Sequence, residues 1–297
     1  MSGFVDAHHH IWRVRDLPWL NGPMIPRIFG PYEALQRRDY LASQYAEDAG
    51  AHGFTQSVYV QANWPLERSV DEVEWVHAQH EETGWPDAIV GSADLFDPQA
   101  GATLEAQAKA TPLMRGCRLQ LHWHEHEAYR FASAADRMLD PVFNENLGLL
   151  SELGWVFELQ VFPNQLGAAK QLLTAHPDLT FVLIHAGMPI EGEPWREALR
   201  ELAVHPNLCV KLSGQGTFIH RVDPDWIRTV TTAVVEAFGS ERAMFGSNFP
   251  VESLWTDFSS LVEAWFGVLA DFPPEVQADI LGRTARRVYR LAEEAPE

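Results

Sequence analysis

The chain has 297 residues and carries 22 Lys and Arg against 41 Asp and Glu, a formal charge of −19. That balance argues against nucleic acid and anionic membrane as partners, and an anionic ligand would need its own local Arg, Lys or His. The length suits one α/β domain over 1–297, and no apolar run reaches the roughly 20 residues that cross a bilayer. Cys117 and Cys209 both lie in apolar, strand-like runs, which suits buried thiols in a reducing cytosol. Acidic and His residues arrive by position 6, so no secretory signal pattern is present. These features lead us to expect a cytoplasmic protein that acts on a small molecule; the oligomeric state stays open, a homo-oligomer included.

The chain opens with Phe4-Val5-Asp6-Ala7-His8-His9-His10-Ile11-Trp12, an apolar strand that ends in polar chemistry. Strict alternation would put Asp6, His8 and His10 on one face and Ala7 and His9 on the other. Two imidazoles two residues apart can converge on one metal ion or one substrate group. The loop 13–36 follows, rich in Pro and Gly yet holding Trp19, Met24, Ile28 and Phe29. Such an apolar loop reads either as a lid over the strand end or as a wall on the rim. A helix is expected over 39–50, closed by Gly53.

A regular beat then sets in. Strands are expected at 56–61, 88–93, 116–121, 155–160, 180–185, 208–213 and 243–247. Helices are expected at 69–83, 100–110, 140–153, 164–176, 194–203, 223–238, 256–269 and 274–291. Asp223 followed by Pro224 marks a helix start. With the opening strand this makes eight strands alternating with helices, a spacing that predicts a parallel (β/α)8 barrel. No glycine-rich phosphate loop follows any strand, which removes support from the nucleotide-binding open sheets.

In such a barrel the active site lies at the carboxyl ends of the strands. Those ends are His10, Gln61, Asp94, His122, Gln160, His185, Ser213 and Asn248. Arg118 and Gln120 precede His122, Glu158 precedes Gln160, and Lys211 precedes Ser213. Singly, each has an ordinary reading: His185 as a core histidine, Arg118 as the partner of Glu158. Together they point to a site. The run His122 to Glu127 reads mainly as a solvated loop, with His122 or His124 turned to the site. Arg283 to Arg290 reads as a basic helix face near a helix end. Glu191-Gly192-Glu193 reads as a solvated loop.

Four motifs carry a family resemblance. They are Asp6-x-His8-x-His10, Ile184-His185-Ala186-Gly187-x-Pro189, Val210-Lys211-Leu212-Ser213-Gly214, and Met244-Phe245-Gly246-Ser247-Asn248-Phe249-Pro250-Val251. Together they resemble the amidohydrolase superfamily, in particular the amidohydrolase 2 branch with 2-pyrone-4,6-dicarboxylate lactonase and the fuconolactonase-type sugar lactonases. The final stretch from Thr284 to Leu291 is similar to that branch as well. The resemblance implies a TIM barrel with His8, His10 and His185 around a reacting carbonyl or a metal, and with Arg118 on a substrate carboxylate or carbonyl. Three departures stand out: Gln160 where metal-dependent members carry His, Arg118 where binuclear members carry a bridging Lys or Glu, and Asn248 where an Asp is usual. The first two argue against a binuclear site, and the third removes the usual proton acceptor.

The function expected from this reading is hydrolysis of a lactone or related cyclic ester by water. His8, His10 and Arg118 would polarise the carbonyl, His185 would orient or deprotonate the water, and Asn248 would orient it. Gln61, Trp64, His122, Gln160 and Lys211 would contact substrate, with Phe249 and the 13–36 loop as walls. Alternatives are a metal-dependent decarboxylase or amide hydrolase on the same barrel, and a non-catalytic barrel that lost its base at Asn248. Any metal is expected to be one Zn²⁺-like ion held by some of His8, His10 and His185, with Asp6 orienting a histidine from behind and Glu158 as a substitute carboxylate.

Overall fold

Short β-branched strands separated by helices build the computed structural model, which describes residues 3–190, 192 and 194–292. The strands are β1 (Phe4–His9), β2 (Phe54–Val60), β3 (Ala88–Gly91), β4 (Met114–Arg118), β5 (Val156–Leu159), β6 (Phe181–Leu183), β7 (Leu208–Leu212) and β8 (Ala243–Phe245). They form one parallel sheet in chain order. The ends meet where Asn248 N–H donates to His8 O at 2.7 Å and His10 N–H donates to Phe249 O at 2.8 Å. The sheet is therefore a (β/α)8 barrel. Being covered on both faces, its strands are nearly all buried, as their apolar runs require.

The helices are α1 (Pro18–Asn21), α2 (Ala42–Gly50), α3 (Ser69–Thr83), α4 (Ala100–Ala110), α5 (Pro141–Glu152), α6 (Leu166–Ala175), α7 (Trp195–Leu202), α8 (Pro224–Phe238), α9 (Phe258–Leu269), α10 (Pro274–Ala278) and α11 (Thr284–Tyr289). The side chains of Asp140 and Asp223 cap α5 and α8 by accepting from N–H groups of the first turn, with Pro next in line. The helix expected from 39 begins only at Ala42. Tyr40 is taken up by a two-way backbone pairing with Trp12, at 2.7 and 2.9 Å, which holds it extended. The helix expected over 274–291 is broken by a widened π turn at Asp279–Arg283.

The barrel interior is filled by Val5, Val58, Val90, Val156, Val182, Cys209 and Met244, and α11 plugs its lower end with Ala285, Val288 and Tyr289. Cys117 and Cys209 are both buried free thiols. Arg286, Arg287 and Arg290 bond backbone carbonyls of Gly3, Glu241 and Gly154, so the basic face ties the lower rim together. The loop at Glu191 and Glu193 lies outside the described residues. No helix among the described residues is long and apolar enough to cross a membrane.

The strict alternation expected on β1 does not hold. Its pairing with β2 shifts register between Asp6 and His9. Val5 and Ala7 face the interior, while Asp6 turns outward to accept from Tyr45 Oη on α2 at 2.9 Å. The irregularity then brings His8 inward one residue after Ala7. His9 goes out, stacked on Tyr45 with ring centroids 3.7 Å apart. Such bulges re-aim side chains next to sites.

Candidate active site

Three imidazoles gather at the upper end of the barrel. The His8 ring lies 5.1 Å from that of His10 and 4.9 Å from that of His185, centroid to centroid. His10 Nδ1 sits 2.7 Å from the carbonyl oxygen of Val60. A carbonyl can only accept, so Nδ1 carries the proton and Nε2 presents a lone pair. Burial first, then the charge of Arg118, lowers the His10 pKa to about 3, so the ring is neutral at ordinary pH. A neutral ring with its one proton on Nδ1 has none on Nε2 for a substrate carbonyl, which corrects the polarising role expected of His10. His185 Nδ1 lies 2.9 Å from Ser213 Oγ, a pair that can run in either direction. His8 is fully buried, and neither of its ring nitrogens has a protein partner.

Asp6 does not orient a histidine ring. It accepts from the backbone N–H of His8 at 3.0 Å, from Ser247 N–H at 2.9 Å and from Ser247 Oγ–H at 2.5 Å. One carboxylate thus fixes the main chain of β1 and of the segment after β8, where His8 and Asn248 sit.

His185 at φ 51° and Asn248 at φ 54° hold left-handed backbone although neither is a glycine. Such strain persists only where surroundings impose it and clusters at functional sites. The strand expected to run to His185 accordingly stops at Leu183. Gly214 leaves the room His185 needs, since a Cβ there would lie 2.6 Å from its Nδ1. Gly246 does the same for His8.

Arg118 points up from β4, nearly fully buried. Its Nη2 donates to the carbonyl of Gln61, and its Nε has no protein partner. Arg118 does not pair with Glu158. That carboxylate is taken by Lys211 Nζ at 2.5 Å and Tyr289 Oη at 2.7 Å, all inside the barrel. Lys211 is therefore held below the cavity rather than lining it, and Glu158 does not line it either. Burial leads the lowering of the Lys211 pKa to about 8.

A cleft opens above these groups. His10, Arg118, His122, Gln160, His185 and Asn248 line it. Gln61 and Trp64 do not. Gln61 Oε1 instead accepts from Asn63 N–H at 2.6 Å, and Trp64 packs on Trp75 under Arg68. The 13–36 loop forms the wall over the mouth, contributing Trp19, Arg27, Ile28 and Phe29. It is tied down by Trp19 Nε1–H to Ala62 O at 2.9 Å and by His220 Nε2 to Ile28 O at 3.0 Å. Arg27 and Arg130 had no signal in the sequence, because both lie on irregular loops that only the fold brings to the mouth. No Asp or Glu among the described residues lines the cleft, although the chain has nearly twice as many acids as bases.

Glu252 gave no signal of its own either. It is buried behind Asn248, whose Nδ2 donates to its Oε1 at 3.3 Å. Thr217 Oγ1 donates to the same oxygen at 3.3 Å and Trp255 Nε1 to Oε2 at 2.9 Å. Burial raises the Glu252 pKa to about 7 against these bonds. Its position one helical turn after Asn248 was the available clue.

The imidazoles do not amount to a metal site. Among the described residues no three His, Cys, Asp or Glu side chains are grouped so as to hold a metal ion. Arg118 places a buried positive charge beside the rings, and Asn248 offers an amide where a carboxylate would be an anionic ligand. His124 and His126 form a local turn, with His126 N–H donating to His124 Nδ1 at 2.9 Å.

A family model described as Amidohydrolase matches residues 5–291. An L-fucono-1,5-lactonase of Burkholderia multivorans is 31% identical over 323 aligned residues, covering 98% of this chain and 97% of that one. A crystal structure of an amidohydrolase from Burkholderia multivorans with bound zinc superposes with a TM-score of 0.81 at 27% identity, covering 98% of this chain and all of that one. A putative 2-pyrone-4,6-dicarboxylic acid hydrolase from Pseudomonas putida shares the fold, with a TM-score of 0.70 at 21% identity over 99% of this chain and all of that one.

Proposed function

The chain belongs to the amidohydrolase family, and on that premise we propose that it is a hydrolase that opens a lactone by adding water to the ester carbonyl. The observation that carries this reading is His10, whose Nδ1–H is spent on Val60 O so that Nε2 is left as an acceptor, on a cleft that buried Arg118 also lines and that no Asp or Glu among the described residues lines. A base and an oxyanion partner on one small cavity are what acyl transfer to water needs. The lactonase among its relatives supports the same choice.

In the proposed step, the water oxygen bonds to the carbonyl carbon while one water proton passes to His10 Nε2. The electron pair of the carbonyl moves onto its oxygen, against Arg118 Nε–H and the Nε2–H of His185. Collapse of this tetrahedral species breaks the ring C–O bond, and His10 returns its proton to the leaving oxygen. The product is the open hydroxy acid. Arg27, Arg130 and His122 at the mouth favour a substrate that also carries a carboxylate. Arg118 lies deeper, which leaves it for the reacting carbonyl.

Incubation of the purified protein with a panel of neutral sugar lactones and carboxylate-bearing lactones tests this directly. The expected product is heavier than the substrate by one water. Activity on amides alone, or release of carbon dioxide, would overturn the reading.

A further inference from the structure

An amide replaces a carboxylate at the position facing His10, yet a carboxylate stands directly behind that amide. Glu252 is surrounded by donors: the indole N–H of Trp255, the backbone N–H of Gly216, the Thr217 hydroxyl and the Asn248 amide. The first two can only donate, and Trp255 holds Oε2 as an acceptor; above pH about 7, where the group is ionised, Oε1 accepts from Thr217 and Asn248 as well. Gly216 makes room for it, since a Cβ there would overlap both the Glu252 carboxylate and the Trp255 ring. With Asn248 Nδ2 engaged by Glu252, the other end of the amide, Oδ1, is left for the cleft that Asn248 and His10 both line.

This puts two acceptors on one cleft. His10 Nε2 has no proton, because Nδ1–H is spent on Val60 O. Asn248 Oδ1 never has one. A water molecule in that cleft, with two protons to give, satisfies both acceptors. Donating one hydrogen to each, that water turns a lone pair of its oxygen outward to the cleft. Building on the hydrolase reading above, we propose that Glu252 is the positioning residue of this arrangement: it fixes the Asn248 amide with Oδ1 inward, so that Asn248 and His10 together aim the attacking water.

The decisive variant is Glu252→Gln, which is nearly isosteric. Its single oxygen must stay with the two obligate donors, Trp255 and Gly216. Its NH₂ then faces Asn248 and demands an acceptor, so the Asn248 amide turns over and Nδ2 caps His10 Nε2. The expected result is a fall in kcat of about 100-fold, the scale of losing a positioned polar group, with KM within about twofold. The double variant Glu252→Gln with Asn248→Asp should recover most of that loss. The carboxylate that it puts in place of the Asn248 amide can accept from the new NH₂ with one oxygen and from water with the other, whereas a purely structural role of Glu252 gives no such rescue. Nitrogen-15 NMR of His10 in the free enzyme reads the same switch without any substrate, so it stands apart from the lactonase assay. Nε2 should show an amide donor in Glu252→Gln and none in wild type. A Glu252→Gln enzyme with kcat within threefold of wild type, or a folded double variant no better than the single one, would overturn the proposal. Should Glu252→Gln fail to fold, the wild-type spectrum decides alone: an amide proton on His10 Nε2 there would overturn it.

Discussion

The Nδ1–H of His10 is held by the carbonyl oxygen of Val60 at 2.7 Å, and this contact between the end of β1 and the last residue of β2 sets the chemistry of the ring. It leaves Nε2 as the one site nitrogen whose protonation state the fold dictates, since His185 can exchange roles with Ser213 and His8 has no protein partner. His10→Ala should therefore lower kcat by about 10²- to 10⁴-fold, the range for a general base, in a protein that still unfolds cooperatively. His185→Ala should lower it as well, but His185→Gln, which keeps a donor toward the carbonyl, should restore part of the loss. His10→Gln should restore nothing, because an amide is no base. Steady-state rates of the four variants on one lactone check this ordering; a His10→Gln enzyme as active as His185→Gln would refute it.

Arg27 and Arg130 bring positive charge to the mouth by different routes. Arg27 comes from the wall loop, its guanidinium 5.6 Å from the Phe131 ring, and Arg130 is braced by the carbonyls of His124 and Glu125 at 3.1 and 2.9 Å. A substrate carboxylate resting between them gains a charge-assisted bond from each. Arg27→Ala and Arg130→Ala should each raise KM for a carboxylate-bearing lactone by roughly tenfold, matching about 1.4 kcal/mol, and leave kcat nearly unchanged. Neutral lactones should show no change in either parameter. An equal loss on both substrate kinds would mean that the two arginines shape the wall rather than bind charge.

Removal of metal tests the donor set. Three rings beside the buried charge of Arg118 have no anionic ligand to offset a divalent ion, and no three donors are grouped to hold one among the described residues. Dialysis against a chelator should leave kcat within twofold. Loss of activity that stoichiometric Zn²⁺ restores would show that the imidazoles rearrange around the ion.

The alternation of apolar strands with capped helices made the barrel legible, because both periodicities are written locally: the segments 69–83 and 100–110 were read to the residue. His10, Arg118, His122, Gln160, His185 and Asn248 were legible for a related reason, since a barrel gathers its strand ends. What the sequence hid is non-local. The register shift on β1, which sends Asp6 outward to Tyr45, depends on pairing with β2. Lys211 and Glu158 cancel each other across β7 and β5 below the cleft, although each alone looked like a site residue. Arg27 and Arg130 sit on loops without periodicity, and Glu252 contacts the site only through Asn248.

Glu72 gives a stability test with a definite sign. It is fully buried, and its Oε1 accepts from Tyr59 Oη at 2.8 Å and from Ala62 N–H at 2.7 Å, holding the start of the Ala62-Asn63 segment that lines the cleft. Burial outweighs these bonds and raises its pKa from 4.5 to about 7. A carboxyl whose pKa is raised by folding binds its proton more tightly in the folded state. Its contribution is fully present below pH 4.5 and is lost as pH rises through about 7. The shift corresponds to about 3 kcal/mol between those limits. Glu72→Gln removes the ionisation while keeping the oxygen that accepts both bonds, and its NH₂ can donate to Ser92 Oγ, now 3.5 Å away. The variant should match wild type near pH 4.5, exceed it in urea midpoint at pH 8, and show a shallower fall between the two. The slope should persist in part, because Glu252 is raised to the same value by the same cause. Urea titrations at both pH values check the sign: a Glu72→Gln protein less stable than wild type at pH 8 would mean that the ionised carboxylate holds this segment better than burial penalises it.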